Sequence, residues 1–120
     1  MNYRTMFART ILCAALLLPG AAMAWEPSQQ IELIVPAGAG GGGDQMARAL
    51  EAAIEAEMPT LKFEVVNKKG GSGAEGYMYV MGKKGDAHTL VITLASVFTL
   101  PVVMGTPFKW SDFTPISRMA

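Results

Sequence analysis

From Ala37 to Gly43 the chain carries no side chain larger than a methyl group. Such a stretch buries almost nothing, and its glycines reach backbone conformations closed to other residues. Its flanks are of a different kind. Ile31-Glu32-Leu33-Ile34-Val35 is short, apolar and largely branched, the pattern of a buried strand, and Pro36 ends it. On the far side, Met46, Ala49, Leu50, Ala53 and Ile54 recur at helical spacing, with Glu51 and Glu55 opposite and Pro59 as the stop. Asp44 has the chemistry of an N-cap for that helix. A strand, a side-chain-free loop and a helix therefore follow one another within thirty residues.

The unit recurs. Phe63–Asn67 reads as a second strand, followed by a loop that is basic at Lys68 and Lys69 and glycine-rich through Gly73. Ser72 and Glu75 have capping-box spacing, which predicts a second helix from about Gly73 to Met81 with Gly82 as its stop. Thr89–Leu94 is a third apolar strand. Pro101–Asp112, with two prolines and a glycine, reads as irregular, and Phe113–Met119 as the start of a further strand. Strands apolar on both faces and alternating with helices predict an α/β fold, a mostly parallel sheet with flanking helices and right-handed crossovers.

Met1–Ala24 has the build of a secretory signal. Arg4 and Arg9 form a basic start, Ile11–Leu18 is apolar, and Ala22-Met23-Ala24 is a cleavage site placing the mature start at Trp25. Eight apolar residues are too few to span a bilayer, which takes about 20. Cleavage removes the one cysteine, Cys13, and with it any disulfide, thiolate metal site or sulfur nucleophile. It also takes Arg4 and Arg9 from the ten basic residues while leaving all ten acids, for a formal charge of −2. That balance argues against nucleic acid as a partner, because its affinity rests on clustered cations. The expected location is the periplasm.

A glycine loop between a strand's carboxyl end and a helix has a physical use. The first helical N–H groups lack intrahelical partners, the helix dipole adds positive potential, and glycines let an anion approach. Gly38, Gly40, Gly41, Gly42, Gly43 and Asp44 form one candidate site. Gly71, Ser72 and Gly73 form a neighbouring wall, and Ser96, just past the third strand, is a candidate hydroxyl donor. The alternative for either loop is a tight turn without a ligand. Gly38, Gly40 and Gly43 also satisfy the dinucleotide spacing G-x-G-x-x-G, with Glu64 downstream. That match is close to automatic in so dense a glycine run, and Glu64 falls inside a strand. The Walker loop is excluded, since this one ends Gly-Asp-Gln. His88, the one histidine, reads as a solvated turn residue. Met46, Met58, Met78, Met81 and Met104 read as core filling. No catalytic pair, metal-ligand spacing or cofactor is indicated.

Taken together, Ile34 to Arg48, Val65-Val66-Asn67-Lys68 with Gly70–Gly76, Asp86–Leu94 and Trp110 to Ile116 resemble the Bug-type periplasmic receptors of tripartite tricarboxylate transporters. The order of these four stretches is the family's, and they span nearly all of the mature chain. The resemblance implies the first lobe of a two-lobed solute-binding protein, with residues 25–120 as its N-terminal part. It implies a receptor that grips a small organic carboxylate with the Gly38–Asp44 loop and delivers it to membrane permease subunits without chemistry. Three departures stand out. Gly43 occupies a place where many relatives carry Ser or Thr, His88 stands where relatives often have Gly-Tyr, and the second lobe is missing, so that a fragment is expected. The competing functions are a secreted dinucleotide-binding oxidoreductase domain and a truncated chain that binds nothing.

Overall fold

A computed structural model describes residues Trp25–Arg118. The expected signal segment lies outside these residues. The order of elements is β1 (Ile31–Val35), α1 (Gly42–Glu57), β2 (Phe63–Asn67), a 3-10 turn (Gly70–Gly73), α2 (Ala74–Gly82), β3 (Thr89–Val91), α3 (Ser96–Met104) and a second 3-10 turn (Trp110–Asp112). The strands form one parallel sheet in the order β2-β1-β3. This is the α/β architecture the alternating pattern predicts.

Register explains the two faces. Leu33 pairs with Val65 on one side and Leu90 on the other, while Ile34 pairs with Val66 and Val91. Alternate residues point to opposite faces. Ile31, Leu33, Val35 and Phe63 bury against Ala47, with Leu50 and Ile54 of α1 packed beside them. On the other face Tyr77 of α2 forms a second core with Val97, Leu100 and Phe108, and Val91 packs against it. The chain moves outward from β1 to β2 and then back across β1 to β3. Two crossovers of one hand in opposite directions put their helices on opposite faces, as observed.

Several expectations need correction. The buried stripe of α1 runs through Gly43, Ala47, Leu50 and Ile54, whereas Met46, Ala49 and Ala53 are exposed. The true stripe begins in the glycine loop, which carries no hydrophobic signal. Of the five methionines, Met46, Met58, Met78 and Met104 are each more than a third exposed, and Met81 alone packs on a core. β3 stops at Val91, although Ile92 N–H still donates to the Ile34 carbonyl at 3.0 Å. The stretch read as irregular from Pro101 holds the end of α3, which continues through Pro101 to Gly105 in left-handed conformation. No strand forms from Phe113 to Arg118. Phe113 instead lays its ring edge-on to Tyr77 and Phe108, at 5.8 and 6.2 Å.

Candidate functional site

The loops after β1, β2 and β3 all leave the sheet at its carboxyl edge. Between β1 and β3 the following helices, α1 and α3, depart to opposite faces. Such a reversal opens a crevice, and open α/β sheets bind ligands there. Its walls here are Val35, Pro36, Ala37 and Gly43 from the first strand and loop, Ile92, Leu94 and Ser96 from the third, and Tyr77 from α2. The cleft holds about 10 Å³, room for about one water molecule, so a solute must sit above it on the loops.

The first loop turns through Gly40 at φ +80°, a left-handed value that favours glycine. Gly41 N–H donates to Gly38 O at 3.3 Å, and α1 begins at Gly42 with Gly41 as its extended N-cap residue. Gly42, Gly43 and Asp44 are therefore the first-turn residues whose N–H groups have no intrahelical acceptor. Gly40, Gly41 and Gly42 are exposed at the tip, and Gly38 is half-buried. A Cβ on Gly43 would lie 3.4 Å from Val35 Cγ1 and 3.6 Å from Leu94 Cδ1. These are ordinary van der Waals distances, so a Cβ fits at Gly43 without displacing Leu94.

Asp44 is not the N-cap that its chemistry suggested. It lies inside the first turn and is 3 % exposed. Its Oδ2 accepts from Gly40 N–H at 2.8 Å and from Arg48 Nε at 3.1 Å, and its Oδ1 accepts from Asn67 Nδ2 at 3.0 Å. The Gly40 N–H, then Arg48 and Asn67, hold its carboxyl below the ordinary carboxylate range. The anion is thus satisfied within the protein. Arg48 and Asn67 were not among the sequence candidates, although Arg48 stands four residues after Asp44 on one helix, the spacing of an ion pair.

The second loop differs from the first. Gly71, Ser72 and Gly73 all have positive φ, at 56, 58 and 99°. Gly73 N–H donates to Lys69 O, and Ala74 N–H to Gly70 and Gly71 carbonyls, so much of this loop's donor capacity is spent on itself. The expected capping box is replaced. Glu75 reaches back to Gly70 N–H at 3.2 Å, and Ser72 makes no side-chain cap bond. Gly71 and Ser72 are exposed on the rim, but Gly73 is buried against the Pro36 carbonyl, where a Cβ has no room. Gly73 permits close packing of the two loops and is unavailable as wall. Ser96 opens α3, and its Oγ lies 2.8 Å from Tyr77 Oη beneath the crevice. Lys69 lies alongside the first loop, its Cδ 3.8 Å from where a Cβ on Gly38 would stand. Lys68 turns away, over the Tyr79 ring at 4.3 Å.

His88 is remote from this edge. It precedes β3 at the amino end, with 15 % of its side chain exposed, accepting from Ser28 N–H at 3.2 Å and facing Trp25 at 5.5 Å. It is a packed residue, not a solvated one. Glu64 pairs with Glu32 in mid-sheet and does not reach the loops. Among the described residues no group of three His, Cys, Asp or Glu side chains is placed to hold a metal ion. No family model, curated protein or solved structure matches the chain.

Proposed function

We propose that the chain is the N-terminal part of a periplasmic receptor that captures a small organic carboxylate for a tripartite tricarboxylate-type transporter, without transforming it. The observation that carries this reading is the glycine loop at the sheet's carboxyl edge: its first-turn residues run from exposed Gly42 through Gly43, which lines the β1–β3 crevice, to Asp44, whose carboxylate is already satisfied. Anions favour such amides through hydrogen bonding and the helix dipole together. Lys69 adds one nearby cation, and half-buried Ser96 offers a hydroxyl at the crevice, held from beneath by the buried Tyr77 Oη at 2.8 Å. The motif order noted in the sequence supplies the family, and with it the permease as partner.

A thermal-shift screen against di- and tricarboxylates, aromatic acids and nicotinamide dinucleotide tests the reading. A carboxylate that binds only the folded state raises the midpoint, by about 2.7 kcal/mol of stabilisation at a hundred times Kd. A shift with dinucleotide alone replaces the receptor by the oxidoreductase alternative. A chain that melts cooperatively with no shift for any of these compounds removes the receptor reading for this chain.

A further inference from the structure

The glycine loop cannot hold its own shape. From Ala37 to Gly43 it has no side chain larger than a methyl group, of which Ala37 packs on the core at the loop's start, and its internal backbone contact is the long Gly41–Gly38 bond of 3.3 Å. Glycine loses more freedom on ordering than any other residue, so a loop of this composition is disordered unless something outside it holds it. The holding contacts come from four side chains. Asn67, the last residue of β2, donates from Nδ2 both to Ala37 O at 3.2 Å and to Asp44 Oδ1 at 3.0 Å, joining the loop's two ends. Asp44 Oδ2 accepts from Gly40 N–H at the tip, and Arg48 Nε braces that same oxygen. Gln45 adds a bond from Nε2 to Gly40 O at 3.0 Å.

We propose that Asn67, Asp44 and Arg48 form a clamp that sets the glycine loop in its anion-facing shape, with Asp44 and Asn67 as positioning residues and not contacts to the solute. The inference deepens the receptor reading and rests on it for the solute, but the clamp's effect on the loop is independent of any ligand. Each acceptor oxygen of Asp44 has a named donor, which leaves the carboxylate no task toward a second anion. The two ends of the loop are joined through a residue of the neighbouring strand, so the loop's shape is tied to the β1–β2 register. A charged acceptor makes these bonds stronger than neutral ones.

The test uses amide-resolved NMR on the chain without ligand. The glycine amides of residues 40–43 report loop order, and the Ile31–Val35 amides report the sheet. In Asn67→Ala and Asp44→Asn, the loop amides become mobile and exchange fast while the sheet amides stay protected. Arg48→Gln, a milder change on an exposed stem, loosens the loop less. The double variant Asp44→Asn with Asn67→Asp, which reverses the donor and acceptor, recovers part of the loop order lost in Asn67→Ala. Loop amides that stay ordered in both single variants overturn the clamp, as does a global loss of protection in Arg48→Gln and Asp44→Asn alike, since that assigns these residues to the fold as a whole. Titration with citrate, succinate and benzoate then separates the two claims. If any of them binds the wild type, Asn67→Ala weakens it by about ten- to a hundredfold. If none binds while the variants still loosen the loop, the receptor reading fails and the clamp stands.

Discussion

Asp44 keeps its charge beneath the surface with three donors around it, and Ser72 and Gly73 hold left-handed backbone on the neighbouring loop. Each makes a measurable claim at the residue scale. For Asp44 the carboxyl is held below its ordinary value of 3.8 in the fold. A group of this kind adds stability that is complete above the unfolded pKa and is lost as pH falls through the folded one. The melting temperature of the wild type should therefore drop as pH falls below about 4, and Asp44→Asn should melt lower at neutral pH yet show a flatter profile through that acid window. Gly73→Ala meets both a positive φ and the Pro36 carbonyl, and should cost about 1–3 kcal/mol, read from the urea midpoint at unchanged slope. Ser72→Gly, at a similar φ but exposed, should raise the midpoint, because left-handed backbone costs a residue with a Cβ about 1–2 kcal/mol and part of that is returned as chain entropy. Asp44 and the glycine loop were legible because their types are unusual where they stand. Arg48 carried a local signal, the i,i+4 spacing of an ion pair with Asp44, but Asn67 carried none, since nothing in the sequence says that a strand's last residue folds over a loop thirty residues earlier.

At the scale of elements, the strands announced themselves through short, largely apolar and branched runs bounded by turn residues, and α1 through a periodic pattern offset from the true stripe by the glycines at its start. α3 did not. Val97, Phe98, Leu100, Val102, Val103 and Met104 are apolar all round, so no helical period distinguishes a buried side, and Pro101 argued against a helix at all. The packing separates the faces. Val97 and Leu100 bury against Tyr77, while Phe98, Val102 and Val103 are 59, 85 and 79 % exposed. Leu100→Ala should accordingly cost about 2–5 kcal/mol, and Val103→Ala should change stability by no more than about 0.5 kcal/mol. Comparable losses from both substitutions would show that the outward face of α3 is covered.

For the whole molecule, strand order and crossover geometry do more than any single motif. A sheet in the order β2-β1-β3 opens its crevice between β1 and β3, and the glycine loop stands at that place. The second loop, on the other side of β1, supports the first by packing under Pro36 and spends its own amides internally. The sequence suggested two equivalent cradles. The structure has one loop with an exposed tip, Gly40–Gly42, leading into the first helical turn, and one buttress, because strand order, invisible to local pattern, decides which loop faces the crevice. In the proposed receptor a carboxylate lies on the first-turn amides that begin at the exposed Gly42. An amide-resolved titration with citrate, succinate, benzoate and nicotinamide dinucleotide tests it most directly. A bound carboxylate should give saturable shifts that begin at Gly40–Asp44, extend to Ser96 and leave His88 unmoved, for at least one of these acids. Shifts there with the dinucleotide alone, or carboxylate shifts confined to other surfaces, would contradict it.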